Sequence, residues 1–145
     1  MTRHDGGHDT DAVTRYLAAR GVTDSLRRGG LGGIVARWSA IASTAGRYDL
    51  TLDDWLNDLD LRDILAGALT VAPKHARDEV HAALERADAA FRAATVQSAR
   101  SLWGEAGEGA NPHDRTRQWW YFRYPKHPGA TMRADLAEAG IVAEG

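Results

Sequence analysis

The sequence predicts an all-α protein, an irregular bundle of about five helices with a short extended aromatic segment before the C-terminal helix. The first observation is that apolar residues recur at intervals of three and four over most of the chain, as on one face of a helix. The second is that residues typical of helix ends bracket those stretches. The third is size, because 145 residues with 43% hydrophobic and 26% charged side chains are typical of one globular domain.

The N-terminal region divides into a tail and a first helix. Residues 1–9 are polar and contain glycine, so we expect a disordered tail there and a single helical domain over residues 10–145. The first helix is predicted to begin at Thr10, because threonine is a good N-cap residue. It is predicted to end at Gly21, because glycine commonly follows a helix C-terminus.

The second helix has the clearest apolar pattern in the chain, and Gly46 is predicted to end it. Its apolar face comprises Leu31, Ile34, Val35, Trp38, Ile41, Ala42 and Ala45. We therefore expect Trp38 to be a core residue. A glycine cluster over residues 29–33 precedes this face. Although a helix N-terminus can bind anions, the cluster lacks a preceding strand and a P-loop lysine, so a flexible connection is the better interpretation.

The third helix is predicted to begin after Thr51, with Asp54 completing a carboxylate version of the capping box. Its apolar pattern changes phase beyond Leu59. This change fits either one helix that is buried on both faces or a break in the chain. Because Asp60 and Asp63 repeat the spacing of a helix-start signal, the sequence favours a break or kink near Asp60.

The C-terminal half is predicted to contain two more helices. One begins at Pro73 and buries an alanine-rich face that includes Phe91, with a less clear extension over residues 95–103. Residues 104–114 contain three glycines and a proline, which is typical of a mobile loop. The last helix is predicted over residues 128–139.

A run of aromatic and basic residues before the last helix is the most unusual feature of the sequence. We call residues 115–126 the aromatic-basic strip; they hold four basic side chains and no acidic one. Dense aromatic residues together with Pro125 favour an extended backbone, in which alternate side chains lie on opposite faces. One face would carry Trp119, Tyr121 and Arg123, and the other Trp120, Phe122 and Tyr124.

The strip has three interpretations. Its rings can fill the core of a bundle whose alanine-rich helices supply little volume. They can form a protein interface, since Trp, Tyr and Arg dominate binding hot spots. They can also bind single-stranded nucleic acid by stacking on bases while cations contact phosphates. The residues predicted to bind a partner are Arg117, Trp119, Trp120, Tyr121, Arg123 and Tyr124.

An acidic segment over residues 49–63 has six aspartates against one arginine. We call it the acidic segment. The opposite charges predict that the strip docks beside it, within the chain or across a dimer. Arginine can bind a carboxylate through two hydrogen bonds. We therefore expect Arg117 or Arg123 near Asp58, Asp60 or Asp63.

Chemical groups that would indicate catalysis are scarce. Cysteine is absent, which excludes disulfides, thiolate metal ligands and cysteine nucleophiles. Of the six histidines, His4 and His8 are four residues apart, but they lie on the predicted tail. No serine nucleophile motif, phosphate-binding glycine loop or dinucleotide fingerprint is present. We expect no metal and no cofactor, and we expect Asp88 to be a partly buried carboxylate paired with an arginine.

These observations favour a non-enzymatic cytoplasmic interaction protein, such as an immunity or antitoxin-like inhibitor or a regulatory adaptor. The partner would be another protein or a second copy of the chain. With a net charge of −2 and no apolar run long enough to cross a bilayer, we expect no membrane association. The excess of arginine over lysine suggests a bacterial source. One alternative is a nucleic-acid-binding module that uses residues 115–126. A second is a small-ligand binder or an enzyme whose site is assembled from distant residues.

Overall fold

The computed structural model describes residues 12–103 and 113–142. The predicted tail, the Thr10 cap, His4, His8 and most of the predicted 104–114 loop lie outside these ranges. Within them, six helices and one two-stranded sheet form an irregular bundle, so the predicted fold class is confirmed. The helices are α1 (residues 12–19), α2 (Asp24–Arg28), α3 (Gly30–Thr44), α4 (Leu52–Val71), α5 (Lys74–Ala94) and α6 (Ala130–Glu138). Short 3-10 turns cover Ala45–Arg47 and Trp119–Phe122, and the strands are β1 (Thr95–Gln97) and β2 (Arg123–Pro125).

Three aromatic rings lie at the centre of the core. Trp38 of α3 and Phe91 of α5 are fully buried, as their positions on the apolar faces predicted. Their ring centroids are 4.8 Å apart, and Trp55 of α4 stacks on Phe91 at 5.5 Å. Because α5 presents mainly alanines to its neighbours, these rings supply the volume that its small side chains leave.

Helix α4 is continuous from Leu52 to Val71, so the predicted break near Asp60 is wrong. The alternative interpretation, one helix that is buried on both faces, is confirmed. α3 packs on α4, and so do the 3-10 turn Trp119–Phe122 and α6. The N-terminus of α4 follows the prediction: Thr51 Oγ1 accepts a hydrogen bond from Asp54 N at 3.1 Å, and Thr51 N donates to Asp54 Oδ2 at 3.2 Å.

Helix α5 ends at Ala94 and a short strand follows it, so the predicted continuation of that helix over residues 95–103 is wrong. Thr95 Oγ1 donates to Phe91 O at 2.7 Å and closes the last turn of the helix. From Thr95 onward, β1 pairs with β2 in antiparallel register, with Val96 opposite Tyr124. Pairing with β2 satisfies the main chain that a longer helix would have satisfied internally.

The aromatic run itself is less extended than predicted. Trp119–Phe122 form a 3-10 turn, and only Arg123–Pro125 are a strand. The turn begins where Gln118 N donates to Asp114 O at 2.7 Å. The predicted alternation of faces therefore does not apply to residues 119–122. Beyond the strand, α6 lies close to its predicted range, with Met132 and Leu136 buried.

No helix in the described ranges combines the length and apolar character required to cross a membrane.

Candidate protein-binding surface at the end of α5

The aromatic-basic strip lies against the acidic segment, as predicted, but its contacts there are made by uncharged groups. The Tyr121 hydroxyl donates to Asp60 Oδ1 at 2.5 Å. Gln118 Nε2 donates to Asp63 Oδ1 at 3.0 Å. Burial, followed by the hydrogen bond to Asp60, raises the pKa of Tyr121. The phenol therefore stays protonated and remains a hydrogen-bond donor.

The predicted pairing of Arg117 or Arg123 with Asp58, Asp60 or Asp63 is wrong. The Asp58 carboxylate instead accepts a hydrogen bond from the hydroxyl of Tyr48 at 2.8 Å. Within the described ranges the two arginines form no ion pair with these aspartates. The Asp63 carboxylate instead has the guanidinium of Arg20 at 3.3 Å. The strip and the acidic segment thus share an interface without neutralising each other.

The basic side chains at the end of the strip bind the C-terminus of α5. Arg123 Nη2 donates to Arg92 O at 3.2 Å and to Thr95 O at 3.0 Å, and its Nε donates to Thr95 Oγ1 at 2.7 Å. Lys126 Nζ donates to Ala93 O at 3.1 Å. The last carbonyls of a helix lack partners within the helix, and cations there also interact favourably with the helix dipole. Main-chain carbonyls, and not carboxylates, are therefore what these cations bind.

Trp119 lies beside this helix end and is only partly buried. The Arg92 guanidinium lies 3.9 Å from the centroid of its ring, a close cation–π contact. The ring also meets Phe91 edge-on, with the centroids 5.9 Å apart. The buried contact fixes the position of the indole, while Arg92 covers it from an exposed position.

Together these residues form a surface around the last turn of α5. We call it the cationic surface; its members are Arg92, Trp119, Arg123 and Lys126. Arg92 and Lys126 are exposed, and Trp119 and Arg123 are partly buried. The pKa of Arg123 is lowered, first by burial and then by the nearby charge of Arg92. Within the described ranges, none of these three cations forms an ion pair with an acidic side chain.

The outward face of the small sheet adjoins this surface. Val96 and Tyr124 are directly opposite each other in the ladder. Val96 has 36% of its surface exposed, and Tyr124 is partly buried. An exposed aliphatic residue and an aromatic one therefore lie beside Lys126, which follows β2.

The structure divides the six residues that the sequence proposed as partner-binding. Trp120 and Tyr121 are 1% and 3% exposed and belong to the core, as one interpretation of the strip had it. Trp119, Arg123 and Tyr124 remain partly accessible, and Arg117 is exposed. Sequence reasoning missed Arg92, which lies on the polar face of α5. Its only signal is that a basic residue stands in the last turn of that helix.

A buried ion pair lies beneath the cationic surface. Arg62 Nε and Nη2 each donate to the Asp88 carboxylate at 3.0 Å, and Trp38 Nε1 donates to Asp88 Oδ1 at 2.9 Å. The prediction that Asp88 pairs with an arginine is confirmed. The Arg62 guanidinium also lies 4.5 Å from the ring centroid of Trp120. This network connects α3, α4 and α5 to the turn that carries Trp119.

The hydroxyl of Ser101 contacts the imidazole of His113. Ser101 Oγ and His113 Nδ1 are 2.9 Å apart, and the His113 ring stacks on Tyr121 at 4.0 Å. Ser101 is only 5% exposed, and its Oγ also accepts a hydrogen bond from Trp103 N at 3.3 Å. These contacts explain the pair as part of the packing around a turn. Among the described residues, no group of three or more metal-ligating side chains lies together.

The chain matches no protein-family model, and comparisons with curated proteins and with solved structures likewise found no match.

Proposed function

We propose that the chain is a non-enzymatic interaction protein of the cytoplasm that binds an acidic surface on a partner protein through the cationic surface at the end of α5. An immunity or antitoxin-like inhibitor or a regulatory adaptor would be an interaction protein of this kind. The observation that supports the proposal is that three cations lie at the C-terminal end of α5, and one of them, Arg92, covers the partly exposed ring of Trp119. Within the described ranges none of the three forms an ion pair with an acidic side chain.

The electrostatics of the surface favour an anionic partner. Arg92 and Arg123 are close enough that the charge of one lowers the pKa of the other. Acidic groups from a partner would relieve this repulsion and would speed association by steering. Trp119 packs on Phe91 and is covered by Arg92. Tryptophan and arginine are two of the residue types that are most common in interface hot spots.

The burial of the strip's rings favours a protein partner over single-stranded nucleic acid. Sequence-independent binding of single strands uses several exposed rings on which successive bases stack. Here Trp120, Tyr121 and Phe122 are all buried. Trp119 and Tyr124 are the strip's accessible rings, and an arginine covers the first.

The first experiment identifies the partner by site-specific photo-crosslinking in the source organism. A photoreactive phenylalanine replaces Tyr124 beside the cationic surface. The control carries it at His81, an exposed position about 16 Å along α5 from Arg92. We expect an adduct from the Tyr124 position and none from the His81 position. Equal adducts at both positions would show that the surface is not selective.

The second experiment measures affinity for the crosslinked partner. Arg92→Glu is expected to weaken binding by at least about tenfold, a typical hot-spot effect. Arg86→Glu is the matched control, because Arg86 is an exposed arginine elsewhere on the same helix. Its affinity should change less than about twofold. If both variants bind like the unmodified protein, the proposal is wrong. If only a labelled oligonucleotide binds in an Arg92-dependent way, the nucleic-acid alternative replaces it.

A further inference from the structure

A half-open cavity of about 310 Å³ lies at the opposite end of α5 from the cationic surface. It is enclosed by α1, the turn between α2 and α3, and the first turns of α5. Val80, which lines it, is about 18 Å along the helix from Arg92. The volume is at the lower end of the range found for ligand sites in proteins, which suits a small molecule.

The wall of the cavity combines aliphatic side chains with charged and polar ones. Val13, Leu31 and Val80 are buried residues that line it. Arg28 and Glu79 also line it and are exposed. Within the described ranges these two residues form no ion pair, either with each other or with another side chain. A cation and an anion thus flank an aliphatic wall without neutralising each other.

The glycines of the cavity wall have different explanations. Gly30 has φ +61°, a conformation that favours glycine, and a Cβ on Gly29 would lie 3.1 Å from Gly33 Cα. Gly32 has neither constraint. Its φ is not positive, and a Cβ there would meet nothing within 4 Å. Because glycine disfavours helix relative to alanine, the fold alone does not account for Gly32, which lines the cavity.

We propose that this cavity binds a small zwitterion with an aliphatic body, of which the aliphatic amino acids are the simplest examples. The carboxylate would face Arg28 and the ammonium Glu79, while the aliphatic body would contact Val13, Leu31 and Val80. The open space beside Gly32 admits the ligand. This inference does not depend on the proposed protein-binding function, because it uses a different part of the molecule.

The ligand requirement can be tested by following backbone amide NMR signals during titration with L-leucine. We expect saturable shifts in residues 28–32 and 73–80, with a dissociation constant near about 1 mM. 4-Methylpentanoate lacks the ammonium group, and 3-methylbutylamine lacks the carboxylate. Each should bind at least about threefold more weakly, since an exposed ion pair contributes little individually. Binding of either analogue as tightly as leucine would contradict the zwitterion assignment.

The site can be tested with variants that preserve the fold. Gly32→Leu places a side chain in open space and should abolish the saturable shifts, whereas Ala40→Leu adds the same side chain at an exposed position of α3 and should not. If Gly32→Leu does not fold, Arg28→Gln and Glu79→Gln are each expected to weaken leucine binding by about two- to fivefold. Leucine shifts that are absent up to about 10 mM, or that are insensitive to these variants, would overturn the proposal.

Discussion

The ion pair between Arg62 and Asp88 provides a sharp test of how the bundle is held together. We consider Asp88→Ala. In the native structure, Asp88 accepts three hydrogen bonds, two from Arg62 and one from Trp38. Removal of the carboxylate leaves all three donors without their partner. It also leaves the Arg62 charge buried, since only 8% of that side chain is exposed.

The loss of stability in Asp88→Ala follows from the charge of Arg62, which remains buried. Removing one partner of a buried ion pair typically costs about 3–5 kcal/mol, because the other charge is left uncompensated. The Asp88 side chain is 17% exposed, so water can reach part of the space that it vacates. We therefore expect Asp88→Ala to lower the free energy of unfolding by about 3 kcal/mol. Domains are stable by roughly 5–15 kcal/mol, so this is a large fraction.

A second variant separates the charge from the packing. In Arg62→Met/Asp88→Ala no charge remains buried, and only the Trp38 donor lacks its partner, at a cost of about 1–3 kcal/mol. The double variant should therefore be no less stable than Asp88→Ala alone. Stability would be measured by urea unfolding, followed by circular dichroism and tryptophan fluorescence.

The control is Asp78→Ala, which removes an exposed carboxylate paired with Lys74 on the same helix. Its unfolding midpoint should equal that of the unmodified protein. A loss below about 1 kcal/mol for Asp88→Ala would refute the reasoning, because Arg62 would then be solvated or re-paired. A double variant less stable than Asp88→Ala would refute it too.

Four further predictions follow from the same structure. Phe91→Ala should cost about 3–5 kcal/mol in urea unfolding, and Trp38→Ala a similar amount, since both rings are fully buried; an unchanged midpoint would contradict the packing. Burial raises the pKa values of Tyr48 and Tyr121 above the usual 10.0. The unfolded phenols therefore lose their protons first, so stability should fall as pH rises above that value, and less steeply in Tyr121→Phe. Burial also raises the pKa of Asp58 above 3.8, so its contribution to stability is present at low pH and is lost as pH rises through the folded-state pKa. As the pH rises through that pKa, Asp58→Asn should become more stable relative to the unmodified protein. A difference in the free energy of unfolding that is independent of pH would disprove the raised pKa of Asp58. Finally, we expect that no metal is needed, so a chelator should leave the melting temperature unchanged, and a decrease would show otherwise.

Helical periodicity predicted much of the core because each apolar face is a local property. The spacing of side chains in α3 and α5 is enough to place Trp38 and Phe91 inside, whatever the neighbours are. The sequence also predicted that Asp88 is partly buried, and a buried carboxylate requires a partner. It could not identify Arg62, because that residue is on a different helix.

The predicted break in α4 shows where local signals fail. Asp60 and Asp63 have the spacing of a helix start, but tertiary partners use both carboxylates. Tyr121 and Gln118 reach them from a segment more than fifty residues away in sequence. Neighbours on several sides also stabilise a helix whose own apolar pattern changes phase. None of this is visible in the sequence of α4 alone.

The cationic surface keeps its charge because the predicted ion pair between the strip and the acidic segment does not form. Had Arg123 paired with Asp60, a cation of the strip and an anion of α4 would have cancelled within the molecule. Instead, the Tyr121 hydroxyl donates a hydrogen bond to Asp60, and a protonated phenol contributes no positive charge. Arg123 is left to bind the carbonyl groups at the end of α5, and these hydrogen bonds fix its position without neutralising it. Buried rings thus anchor the strip in the core, while within the described ranges Arg123 and Lys126 form no ion pair with an acidic side chain. Hydrogen bonds to main-chain carbonyl groups already position these cations, so the binding of an anionic partner would cost little further ordering of their side chains.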